Sequence, residues 1–149
     1  MRSSFLGWLL IITGLAWGAK ALHAQPRPAA PNSLAALLKA SRWQQRVLLL
    51  CAPTATDAAL LRQRQLLAPA GPDLKARDLL VHEVLLDQLS VPDKKYLAET
   101  LRVPTAAPFT VLLIGKDGGV KRRETAPITP ASLFKTIDVM PMRQQEMRK

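Results

Sequence analysis

Sulfur chemistry in this chain can start from one atom, the thiol of Cys51, its single cysteine. A thiol works as a nucleophile only when it is exposed and its pKa is lowered toward neutrality by nearby positive charge or a helix N-terminus. With no second cysteine, dithiol–disulfide exchange within one chain is excluded in any alignment, and no internal disulfide can form. The fold must therefore rest on its apolar core. One cysteine and two histidines, His23 and His82, also fall short of the four nitrogen and sulfur ligands of a structural zinc site. No metal and no cofactor is expected. His82 and Glu83 are neighbours in an apolar run, so as strand residues they point to opposite faces and cannot act as a dyad. Asp73, Asp78 and Asp87 follow no metal-binding spacing and read as loop and capping residues. The "GKDGG" stretch at 115–119 lacks the strand–loop–helix setting of a phosphate cradle and reads as a hairpin turn.

Positive charge offers the other chemistry. The chain carries 21 Lys and Arg against 11 Asp and Glu, a net +10, which favours association with anionic partners. Lys116, Lys121, Arg122 and Arg123 cluster around the 115–119 turn, and Arg143, Arg148 and Lys149 lie near the end. On a regular strand Lys121 and Arg123 share one face, while Arg122 shares the other with Glu124. The candidate binding residues are thus Lys116, Lys121, Arg123 and Arg143. Their partner would be a polyanion, an acidic glycan or the extended segment of a protein partner. The competing reading is a solvated edge strand whose charge serves solubility. Sequence-specific nucleic-acid binding is not expected, because no recognition motif is present and aromatic residues for base stacking are few.

The elements that must position these residues follow from periodicity. Ser33 caps a helix over 34–40. The run "RVLLLCAP" at 46–53 carries five consecutive apolar residues at 47–51, the pattern of a strand buried on both faces. Thr56 or Asp57 caps a helix with Leu60, Leu61 and Leu67 inward and Arg62, Gln63 and Arg64 outward, ended by "APAGPD". A second strand covers 79–86. Ser90, with Pro92 and Asp93 behind it, opens a helix to about residue 102, with Tyr96, Leu97 and Leu101 on its core face. A third buried strand covers 109–114. Asp117-Gly118 predicts a type I′ turn, and 120–125 returns as a polar edge strand. Thr129-Pro130 caps a last helix with Leu133, Phe134, Ile137 and Met140 inward, which Pro141 must kink or end.

A βαβ unit followed by ββα gives an α/β fold: a four-stranded mixed sheet with helices on both faces and an extra N-terminal helix, the order of a thioredoxin-like domain. The domain is placed at 33–149, after a Pro-rich linker at 25–32. Residues 1–24 read as a signal peptide: a basic start, an apolar stretch at 5–18 and small residues before the cut. Cleavage after Ala24 is preferred and Ala21 is the alternative. The alternative is an uncleaved membrane anchor, but the apolar stretch is shorter than the roughly 20 residues of a membrane span, and no stable span is expected after cleavage. Export to a periplasm or to the outside is expected. Removing 1–24 takes away Arg2 and Lys20 and leaves 19 basic against 11 acidic residues.

Four stretches, "RVLLLCAP", "ARDLLVHEV", "FTVLLIGKDGGVKRR" and "IDVMPMRQQEM", resemble the bacterial domain of unknown function 4174, a domain shared with animal sushi-repeat and extracellular-matrix proteins. The likeness runs from about residue 43 to 147. It implies a thioredoxin-like, peroxiredoxin-related fold and no particular activity. Laid on the redox pattern of that fold, Thr56 and Ala59 fall near the two cysteine positions, and Cys51 comes too early, within the strand. Pro108 takes the place of the proline that such folds hold in the cis form before the third strand. Cys51 is then a small buried apolar side chain, or else the nucleophile of a single-cysteine oxidoreductase or peroxiredoxin-like enzyme. The residues favour a non-catalytic binding module.

Overall fold

A computed structural model describes residues 33–148. The expected signal peptide, the linker and Lys149 lie outside the described residues. The chain runs α1 (Leu34–Ser41), β1 (Arg46–Ala52), α2 (Ala58–Leu67), a 3-10 turn (Ala68–Ala70), α3 (Gly71–Lys75), β2 (Leu79–Leu85), α4 (Val91–Glu99), β3 (Thr110–Ile114), β4 (Val120–Glu124), α5 (Pro130–Asp138) and α6 (Pro141–Glu146). The sheet order is β2-β1-β3-β4. β1 is parallel to β2 and antiparallel to β3, which is antiparallel to β4. The two unbroken apolar strands are therefore central and the polar strand is an edge, as expected.

β1 and β3 are buried at every position, and their alternate residues feed two separate cores. Val47, Leu49, Cys51, Leu112 and Ile114 pack under α1 and α4, with Leu34, Leu38, Leu97 and Leu101. Leu48, Leu50, Val111 and Leu113 pack under α2 and α5, with Leu60, Leu67, Leu133 and Ile137. Side-chain caps define the helix starts. Ser33 accepts from the Ala36 N–H, Asp57 from Leu60, Ser90 from Asp93 and Thr129 from Ser132. Asp93 also accepts the Leu34 N–H at 2.9 Å, which ties α4 to the start of α1.

Several expectations need correction. Leu61 points outward and is 42% exposed. Gln63, expected outside, is fully buried, and its amide bonds both the C=O and the N–H of Ile128 at 2.9 and 2.7 Å. The "APAGPD" stretch holds a 3-10 turn and α3, because Pro72 occupies the first helical turn, where no N–H is needed. Pro141 starts α6, and the helix before it ends at Asp138, as expected. All peptide bonds among the described residues are trans, that of Pro108 included.

The β3–β4 connection is not a type I′ turn, since Gly118 is positive (φ +86°) and Asp117 is not. The Gly118 N–H bonds Gly115 O, and the Gly115 N–H bonds Gly119 O, both at 2.9 Å. This is a three-residue turn closed by a left-handed glycine. The register then slips: Ile114 faces Val120 and Leu113 faces Arg122, so Lys121 is an extra, bulged residue.

Candidate functional site

At the sulfur, Cys51 has no exposed surface and sits mid-core between Val84 of β2 and Thr110 of β3. Burial pushes its thiol up to about 12, against a weaker downward pull from Arg123. A thiol so placed is protonated and inaccessible at neutral pH, the state of a packing residue. The carboxyl end of β1 offers no substitute. Thr54 and Thr56 meet through their hydroxyls at 3.3 Å, and Asp57 is occupied as the α2 cap. His82 and Glu83 point apart as expected. Glu83 takes a two-pronged contact from Arg64 at 2.6–2.7 Å, which holds its carboxyl below the usual range. Among the described residues no group of His, Cys, Asp and Glu is placed to hold a metal.

The opposite pole, where β1 begins, is built differently. Arg46 heads the otherwise apolar β1 and is only 1% exposed. Its two terminal nitrogens grip both carboxylate oxygens of Glu146 on α6 at 3.2 Å, and Nη1 also donates to Arg77 O at 2.8 Å. Lys116, 9% exposed in the β3–β4 turn, joins the same carboxylate at 2.8 Å and Asp78 at 2.8 Å. Burial would lower the Lys116 pKa, but the bonds to Asp78 and Glu146 outweigh it and raise it. At Glu146 burial pushes upward, and Lys116 with Arg46 reverse this and hold the carboxyl low. Arg77 pairs with Asp138 at 2.8–2.9 Å and lies 4.1 Å over the Phe134 ring.

The four candidate binding residues all have internal partners. Lys116 is held by Asp78 and Glu146. Lys121 Nζ reaches Asp117 at 2.5 Å. Arg143 donates to Ala76 O at 2.9 Å and approaches Asp138 and Glu146. Arg123 donates to Leu101 O and Arg102 O at 2.6 and 3.2 Å, just past the end of α4, where carbonyls lack helical partners. The expected Lys121–Arg123 pair does not come together: the bulge puts Lys121 over the turn, and Arg123 reaches across to α4. Arg122 reaches Ser132 and Thr136 on α5.

Lys116 and Lys121 do converge, with Arg46, on a cleft of about 280 Å³ between the turn and α6. Its polar side carries these three cations and one carboxylate, Asp117; Met140, Pro141 and Met142 form the apolar wall. A larger depression, about 560 Å³, lies against α3, but its lining of Gln44, Gln45, Leu74 and Lys75 gathers no comparable charge. Beside the turn, Trp43 is 62% exposed at φ +64°, with its N–H bonded to Lys116 O at 2.7 Å. Arg46 and Glu146 were missed as site residues. The available signal was a lone arginine opening an otherwise apolar strand.

Residues 37–146 match the family described as Domain of unknown function (DUF4174). The chain belongs to that family. It is 29% identical, over 152 aligned positions, to the sushi repeat-containing protein SRPX of Rattus norvegicus. The alignment covers 91% of this chain and 32% of that protein, so the chain spans about a third of the relative's length. Among solved structures it resembles the reduced 2-Cys peroxiredoxin of Plasmodium vivax, with a TM-score of 0.53 and 12% identity over 75% of this chain and 85% of that one. That likeness establishes the thioredoxin-like fold of this DUF4174 domain. No helix among its described residues is long and apolar enough to cross a membrane.

Proposed function

We propose that this DUF4174 domain is an exported, non-catalytic interaction module that binds a partner bearing acidic groups. The observation that carries the reading is the cleft beside the β3–β4 turn, lined by Arg46, Lys116 and Lys121 with Asp117, while Glu146 and Asp78 pair with the first two from outside the lining. The buried, protonated Cys51 supports a role without thiol chemistry. Export rests on the signal-like pattern of residues 1–24. Of the four candidate residues, Lys116 and Lys121 line the cleft and Arg143 belongs to the helix that bounds it. Arg123 serves the end of α4.

Salt elution from a polyglutamate matrix tests the reading. Lys121→Ala should elute at clearly lower salt than Lys95→Ala, which removes the same charge from the exposed face of α4. Equal shifts for the two variants would show that retention follows net charge, and the cleft would lose its role.

A further inference from the structure

We propose that Arg46 and Lys116, which border the cleft, form a receptor for one carboxylate of an acidic protein segment, and that Glu146, which lies outside the cleft lining, holds those two cations while the domain is free. The inference rests on the binding role above and names its ligand chemistry. Its first support is size. At about 280 Å³ the cleft lies just under the roughly 300–1,000 Å³ of small-molecule sites. With Glu146 outside its lining, the cleft leaves room beside Arg46 and Lys116 for the residues next to an incoming carboxylate, against the Met140–Met142 wall. Methionine is unbranched and adapts to varied apolar shapes.

The second support is the donor set. A planar guanidinium matches a carboxylate through two parallel bonds, and Arg46 already makes that contact with Glu146. Its Nε, also buried, has no hydrogen-bond partner. Lys116 adds a third contact to the same carboxylate. The arrangement is a carboxylate receptor with a carboxylate in place.

The third support is how weakly the occupant is anchored by apolar contact. α6 has six residues and buries none of them fully, and a helix that short does not hold itself in water. It is held mainly by charge: Glu146 on Arg46 and Lys116, and Arg143 on Ala76 O and Asp138. An incoming acidic segment therefore competes with one carboxylate for a formed site.

The test uses the full chain and a fluorescent peptide of sequence PMRQQEM, with the peptide PMRQQQM as control, followed by anisotropy. Glu146→Gln removes the internal competitor's charge while keeping its shape. It should bind the Glu peptide at least tenfold more tightly than the wild type does, and the control peptide should gain nothing. Arg143→Gln, which loosens α6 without touching Arg46 or Lys116, should produce a gain of the same sign and guards against misfolding of the first variant. Heparin should displace the peptide no better than sodium chloride of equal ionic strength. The inference is overturned if neither variant gains affinity, if both peptides gain equally, or if heparin displaces the peptide specifically, which would point to a polyanionic glycan. Should Lys121→Ala still lower polyglutamate retention when these fail, the binding role stands and only the internal competitor is lost.

Discussion

Labelling of Cys51 separates a packing thiol from a reactive one, and its size can be worked out. An ordinary thiol with a pKa of 9.0 is about one-tenth thiolate at pH 8; with the pKa pushed up to about 12, the fraction is about one in ten thousand. Thiolate fraction alone therefore slows alkylation about 1,000-fold, and the absence of any exposed surface slows it further, since reagent must wait for local opening. The assay follows a maleimide adduct by mass at several pH values, in buffer and in urea. Native protein should stay unlabelled at pH 8 over times that complete the reaction in urea. Cys51→Ala should keep the fold at a cost of about 1–2 kcal/mol, from the lost packing of one small side chain. Native labelling within tenfold of the urea rate would refute the placement of Cys51 and return it to the candidates for catalysis.

Gln63→Ala removes both bonds to Ile128 and strands two buried backbone groups, so unfolding free energy by urea titration should fall by about 3 kcal/mol. A loss under about 1 kcal/mol would place that amide in water. Gly118→Ala forces a side chain into φ +86° with its Cβ 3.0 Å from Arg42 Nε, and should cost about 1–2 kcal/mol in the same assay. No loss would mean that the turn adopts another form. His82 is held below its ordinary 6.5, first by burial, with Glu83 pulling the other way. Its neutral form is favoured by folding, so the stability it contributes is complete above about pH 6.5 and falls as pH drops through the lower folded value. An NMR titration midpoint at or above 6.5 would contradict this, as would an unchanged acid slope in His82→Gln.

The sheet was legible because its central strands are buried on both faces, so burial wrote itself as continuous apolar runs at 47–51 and 109–114. Polarity misled where a polar side chain satisfies buried backbone. Gln63 lies three residues after Leu60 and four before Leu67, on the inward stripe, yet its type alone argues for solvent. Proline told only half. The helices before Pro72 and Pro141 do end, at Leu67 and Asp138, but each proline also stands in the first turn of a new helix, where a missing N–H costs nothing. The turn residues named a hairpin correctly. The bulge at Lys121, which broke the expected Lys121–Arg123 pairing, depends on how three residues close the loop, and composition does not distinguish that. The charge cluster was beyond reach because Arg46 and Glu146 are 100 positions apart.

Arg46 and Glu146 are unequal partners, and that inequality bears on function. The arginine is 1% exposed and its carboxylate partner 26%. Removing a charge from water is costly, and replacing a buried pair by apolar residues is often neutral or stabilising, so such a pair is weak support for stability as its purpose. Here the dehydration of Arg46 belongs to folding and is complete whichever carboxylate faces it. A competing segment loses only its own hydration and gains a guanidinium already oriented by Arg77 O and a lysine already placed by Asp78. Rigid donors of this kind reduce the ordering cost of association. The carboxyl end of β1, by contrast, holds hydroxyls, a capping aspartate and no exposed thiol. The pole where β1 begins is therefore where recognition should be sought.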